Sequence, residues 1–201
     1  MKIYLVSNNL LLDGISYENN SNLEIIRMLR PLSSKGERIS NKISESKEFQ
    51  NIEKIYSSFY SSAISSAKYL SEKLEININM DDRLNDCKVG SLGSKNMKMV
   101  KGLQDHEFTY KLPNGESLID VGTRINNFIQ NVINKDEECI IYSHKRAILG
   151  FLLKYTKVGY NLDDNLILEY NGKLIYDDSD TDIDIYEIEV RNNEIININK
   201  F

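Results

Sequence analysis

Strand-like and helix-like patterns take turns along this chain, and that alternation limits its fold more than any other feature. Short apolar runs occur at residues 2–6, 52–57 and 138–142. The second is followed by a helical pattern over 61–74, with Ala63, Ala67, Leu70 and Leu74 on one stripe, and the third by an apolar helix over 146–155. A long amphipathic helix is expected over 116–134, with Val121, Ile125, Phe128, Ile129 and Val132 turned inward. Strands of this kind, separated by helices, bury both faces only as a sheet between helix layers. The expectation is a three-layer α/β/α sandwich with a mixed, mostly parallel sheet.

Smaller elements fill in that frame. Ser33 or Ser34 can cap a helix over about 35–46, and residues 76–80 alternate as a half-exposed strand. Residues 11–32 are irregular, although Leu23, Ile26, Met28 and Leu29 suit one or two helical turns. The stretch 81–115, broken by Gly90, Gly93, Gly102 and Pro113, reads as a cap insertion with a short helix near 94–103. Residues 183–190 and 194–199 alternate around Asn192-Asn193, a hairpin signal.

With 201 residues, no repeat and no linker-like break, the chain is expected to form one domain, residues 1–201. A net charge of -5 argues against nucleic acid or an anionic membrane as the main partner. No apolar run approaches the ~20 residues of a membrane span. Cys87 and Cys139 have no metal-type spacing and read as thiols in a reducing cytoplasm. No metal or cofactor is expected, and a homodimer is left open.

Six separated segments carry chemistry. They are Leu5-Val6-Ser7-Asn8-Asn9, Leu32-Ser33-Ser34-Lys35-Gly36-Glu37, and Ile55-Tyr56-Ser57-Ser58-Phe59-Tyr60-Ser61-Ser62-Ala63. Further on come Arg83-Leu84-Asn85-Asp86 followed by Gly90, then Gly115-Glu116-Ser117, and Tyr142-Ser143-His144. In this order, each in strand–helix context, they resemble the histidine phosphatase (phosphoglycerate mutase-like) superfamily. The resemblance implies a nucleophilic histidine at position 8, arginines at 7 and 62, a proton-donating acid at 86, a pocket acid at Glu116 and a second histidine at His144.

The chain departs from that pattern where the chemistry is heaviest. Phosphoryl transfer needs an in-line nucleophile and positive donors on the equatorial oxygens. The lone pair of the Asn8 amide is delocalised into its carbonyl, so it cannot form the phosphoenzyme that an imidazole would form. Ser7 and Ser62 offer short neutral hydroxyls in place of two guanidinium forks. His144 and Asp86 remain. The expectation is a catalytically impaired or inactive pseudo-phosphatase that binds a small-molecule ligand or partner protein through Ser7, Asn8, Ser62, Glu116, His144 and Lys145. The alternatives are a residual or rewired phosphomonoesterase using His144 and Asp86, and a purely structural subunit.

Several residues carry two readings. Lys145 either points into the pocket to bind an anion or caps its helix; His106 either reaches the pocket from the cap or is solvated. Ser7 beside His144 would be half of a hydrolase arrangement, with no third group in sight. Glu116 is either a pocket acid or a first-turn acid favoured by the helix dipole, and Cys87 could line the pocket. Asp178, Asp180 and Asp182 have calcium-loop spacing, but Ile183 replaces the turn glycine, so a solvated acidic connection is expected. The site is expected at the carboxyl ends of the first and fourth strands.

Overall fold

The computed structural model describes residues 1–7, 10–13 and 22–201. The chain begins with β1 (Lys2–Ser7), then α1 (Leu23–Leu29) and α2 (Ser34–Ser44). Next come β2 (Lys54–Ser57), α3 (Ser61–Leu74) and β3 (Ile78–Met80). A 3-10 turn at Asp82–Leu84 leads through residues 85–117, which carry α4 (Met97–His106), to α5 (Leu118–Lys135). The second half holds β4 (Cys139–Ser143), α6 (Lys145–Leu152), β5 (Lys157–Tyr160), β6 (Leu166–Tyr170), β7 (Lys173–Asp177), β8 (Ile185–Arg191) and β9 (Glu194–Lys200).

The main sheet has the order β3-β2-β4-β1-β8-β9. Its first four strands run parallel, and β8 and β9 are added antiparallel. Side-chain alternation along β1 builds both core layers at once. Ile3 and Leu5 pack in a cluster with α5, α6 and β8, whereas Tyr4 and Val6 pack with Phe49, Ala63, Ala67 and Leu70 on the α3 side. The register sets Leu5 beside Ile141 and Ser7 beside Ser143, so β1 and β4 end level.

Glycines allow two close backbone approaches. A Cβ at Gly122 on α5 would lie 2.1 Å from the Gly150 carbonyl oxygen on α6, and one at Gly150 would lie 2.5 Å from the Leu118 oxygen. At Gly36 an added Cβ would meet the Leu10 oxygen at 2.6 Å. That oxygen accepts Ser33 N–H at 2.9 Å, which ties the segment after β1 to the start of α2.

Three elements differ from expectation for local reasons. The long helix starts at Leu118 rather than residue 116, because Ser117 and Asp120 close a reciprocal capping box. The helix expected near 94–103 starts at Met97 because the Asn96 side chain accepts the Met99 N–H. A second sheet, β5-β6-β7, occupies residues that gave no sequence expectation. Val89, Val100 and Leu112 form a separate small core against which Leu23 of the α1 helix packs. No helix among the described residues is long and apolar enough to cross a membrane.

Candidate functional site

The level ends of β1 and β4 bring Ser7 and Ser143–His144 to one edge of the sheet, and the turns after β2 and the Asp82–Leu84 segment close around them. His144 sits at the N-cap position of α6, and its carbonyl accepts Ile148 N–H at 2.9 Å. Its ring is buried. Nε2 lies 2.8 Å from Ser58 Oγ, and Ser58 Oγ also accepts Tyr60 N–H at 3.2 Å. The Ser58 hydroxyl proton stays available to donate to Nε2 of a neutral imidazole, and its second lone pair stays available to accept from Nε2–H in the other tautomer. The Tyr60 ring packs on the imidazole with centroids 4.6 Å apart. Burial, together with Arg27 and Arg124 and against the pull of Asp86, lowers the His144 pKa to about 4.

Asp86 belongs to a loop held rigidly from three sides. Ser143 Oγ donates to the Leu84 carbonyl at 2.8 Å, and Phe59 N–H donates to Asn85 Oδ1 at 2.9 Å. Arg124 of α5 donates to the carbonyls of Arg83 and Asn85 at 2.7 Å each and to that of Asp86 at 3.0 Å. The Asp86 carboxylate accepts Cys87 N–H at 2.8 Å and pairs with Arg27 Nη2 at 2.5 Å. Burial opposes its charge, but Arg27, His144, the Cys87 N–H and Arg146 hold its pKa below the usual carboxylate range.

Arg27 is the residue that sequence reasoning missed. Its helix, α1, lies within residues 11–32, where the sequence is irregular and only apolar positions suit helical turns. Besides Asp86, Arg27 bonds Glu24 at 3.1 Å and the Cys87 carbonyl at 2.9 Å. Glu24 in turn accepts Val89 N–H at 2.7 Å, so α1 is stitched to the loop that carries Asp86. Ser58, which holds His144, lies in the segment ending at Ala63, whose pattern implies no role for it. No local sequence signal marks Arg27, since its partner Asp86 lies 59 positions away.

The remaining candidates spread out. Ser7 and Ser62 are buried at the end of β1 and in the first turn of α3. Ser7 N–H donates to the Asp184 carbonyl at 2.8 Å, and Asp184 N–H donates back to Ser7 Oγ at 3.3 Å. Asn8 lies outside the described residues. Glu116 precedes the α5 cap, so it is not a first-turn acid. Its two oxygens take Nε and Nη2 of Arg124 at 2.8 Å each, and one also accepts Lys88 N–H at 3.0 Å. With Tyr60, Asn85 and Asp86 it lines an open cavity of about 620 Å³. Lys145 Nζ donates to the carbonyls of Asp177, Asp178 and Asp180 and lies over the Tyr176 ring, which engages its charge at the β7–β8 connection. His106 ends α4, stacked on Tyr160 with centroids 5.0 Å apart. Asp178, Asp180 and Asp182 pair with Lys101, Lys200 and Lys35 respectively, and the described residues contain no cluster of metal-ligand type.

Residues 25–176 match the model of the histidine phosphatase superfamily, branch 1. The chain belongs to the histidine phosphatase superfamily. Solved structures agree on the fold. Mycobacterial glucosyl-3-phosphoglycerate phosphatase in complex with inorganic phosphate superposes with a TM-score of 0.67 at 14% identity, covering 100% of this chain and 95% of that one. The YhfR protein of Bacillus stearothermophilus gives 0.64 at 17% identity, covering 96% and 93%. The α-ribazole phosphatase of Shigella flexneri gives 0.64 at 13% identity, covering 96% and 92%. No curated protein sequence matches the chain.

Proposed function

We propose that this member of the histidine phosphatase superfamily is a pseudo-phosphatase, acting by binding a ligand or partner protein at the His144 edge of the sheet. One observation carries the reading: the Asp86–Arg27 pair at 2.5 Å, which keeps the carboxylate ionised. An acid that protonates a leaving oxygen must hold its proton at working pH, and Asp86 does not. The asparagine at position 8 supports the same conclusion from the sequence, since it supplies no nucleophile. Near neutral pH His144 is uncharged, so it offers a hydrogen bond but no charge to a dianion. Purified protein is expected to release no phosphate from p-nitrophenyl phosphate or 3-phosphoglycerate, and to form no acid-labile phosphoenzyme. Turnover that disappears in His144→Ala would overturn the proposal.

A second reading, a rewired phosphomonoesterase built on His144 and Asp86, draws on Arg27. Its guanidinium brings positive charge to the site from α1, where the pattern of the superfamily has arginines at 7 and 62. That reading requires orthovanadate or phosphate to raise the melting temperature at millimolar concentration. Absence of a shift removes it.

A further inference from the structure

A second and smaller cavity of about 250 Å³ lies between the start of α4, residues 87–89 and α6, with Arg27 in its lining, and it shares Lys88 with the first. Its wall is mainly apolar, formed by Val89, Val100, Met97 and Cys87. Burial pushes the Cys87 thiol up to about 12, so it stands there as a neutral hydrophobe. Every charged side chain lining the cavity among the described residues is a cation, and no carboxylate reaches the wall.

The cations fall into two groups. Arg27, Lys101 and Arg146 are held by Asp86, Asp105 and Asp178, which lie off the cavity wall and fix their positions. Lys88 and Lys98 have no ion pair among the described residues, and both side chains are exposed at the mouth. A pocket with an oily interior and cationic mouth selects for two properties together. Inorganic phosphate would leave the wall uncovered, a neutral hydrocarbon would leave the lysines without a counter-charge, and an organic cation would be repelled.

We propose that this cavity binds an amphiphilic anion, a medium-length hydrocarbon body ending in a carboxylate or phosphate. The inference does not rest on the pseudo-phosphatase reading, because the cavity holds a ligand whether or not the His144 site turns over.

Calorimetric titration of the full chain with octanoate and octyl phosphate tests it, beside octan-1-ol, octylammonium and inorganic phosphate. One-site binding of at least one anion is expected, and the stronger of the two names the headgroup. The alcohol and inorganic phosphate should bind at least about tenfold more weakly, and octylammonium not at all. Lys98→Glu and Met97→Asp, both at exposed α4 positions, should each weaken the anion at least about tenfold with the melting temperature kept. Octan-1-ol binding as tightly as octanoate, no anion binding at millimolar concentration, or unchanged affinity in both variants would overturn the assignment. His144→Ala should bind the anion undiminished; loss of binding there would put the ligand at the other site and refute this one. Phosphate-ester turnover alongside intact octanoate binding would overturn only the pseudo-phosphatase proposal.

Discussion

At the residue scale, His144 is neutral because it is buried, and that has a consequence for stability. Its folded pKa of about 4 lies below the ordinary value of 6.5 that it regains on unfolding. Below pH 6.5 the unfolded chain therefore binds the proton more readily than the folded one. The stabilisation is complete above about pH 6.5 and is lost as pH falls toward 4, worth about 3 kcal/mol over that window. Urea unfolding at pH 7 and pH 4.5 should show a smaller drop for His144→Asn than for the natural chain. Asp86 has a depressed pKa and adds a loss of the same sign at lower pH, and the variant comparison separates the two. An identical drop in both proteins would mean that His144 titrates normally. His144, Asp86 and Glu116 were legible in the sequence because each sits in a short motif with a fixed neighbour. Arg27 was not, because its role depends on a residue 59 positions away that only the folded chain brings near.

At the scale of elements, the packing of α5 on α6 depends on Gly122 meeting Gly150 backbone to backbone. Gly122→Ala would gain about 1 kcal/mol of helix propensity, yet its Cβ would sit 2.1 Å from a carbonyl oxygen on a neighbouring helix. Backbone cannot yield as a side-chain tip does, so the helices must separate, and the overpacking cost of about 1–3 kcal/mol or more outweighs that gain. A thermal melt should show a fall of several degrees, since about 1 kcal/mol shifts a chain of this size by roughly 2–4 °C. A higher melting temperature would contradict the contact. Elements with a strong local signature were legible. The α3 helix has the bounds its apolar stripe implies, and Asn192 and Asn193, both at positive φ, turn the β8–β9 hairpin as their types suggest. The small sheet was not, although Asn171-Gly172 between β6 and β7 is a turn signal of the same kind, with φ of 49 and 75°. Its strands are short, and β5 is half-exposed with a glycine in its middle, so no periodicity stood out.

At the scale of the whole molecule, the question is whether the frame still supports the chemistry it lacks. Ser7→Arg, Asn8→His and Ser62→Arg together would supply a nucleophile and two phosphate-binding forks at the ends of β1 and α3. They would leave Asp86 ionised by Arg27, and the two deficits affect different substrates. p-Nitrophenolate leaves without a proton, whereas the alkoxide of an aliphatic phosphate ester needs one. The triple variant is therefore expected to hydrolyse p-nitrophenyl phosphate measurably and 3-phosphoglycerate hardly at all. Adding Arg27→Gln removes the largest of the charges that depress the Asp86 pKa, so burial is less opposed and the pKa rises. The fourth change should raise 3-phosphoglycerate hydrolysis at least about tenfold, while activity on p-nitrophenyl phosphate changes little. Positions 7 and 62 are buried, so two arginines without an anion there would destabilise the fold. Circular dichroism and melting in phosphate buffer therefore accompany the assay. A folded triple variant inert toward p-nitrophenyl phosphate would show that these three positions do not converge on one phosphoryl group. Equal gains on both esters in the fourfold variant would show that Arg27 does not control the proton on Asp86.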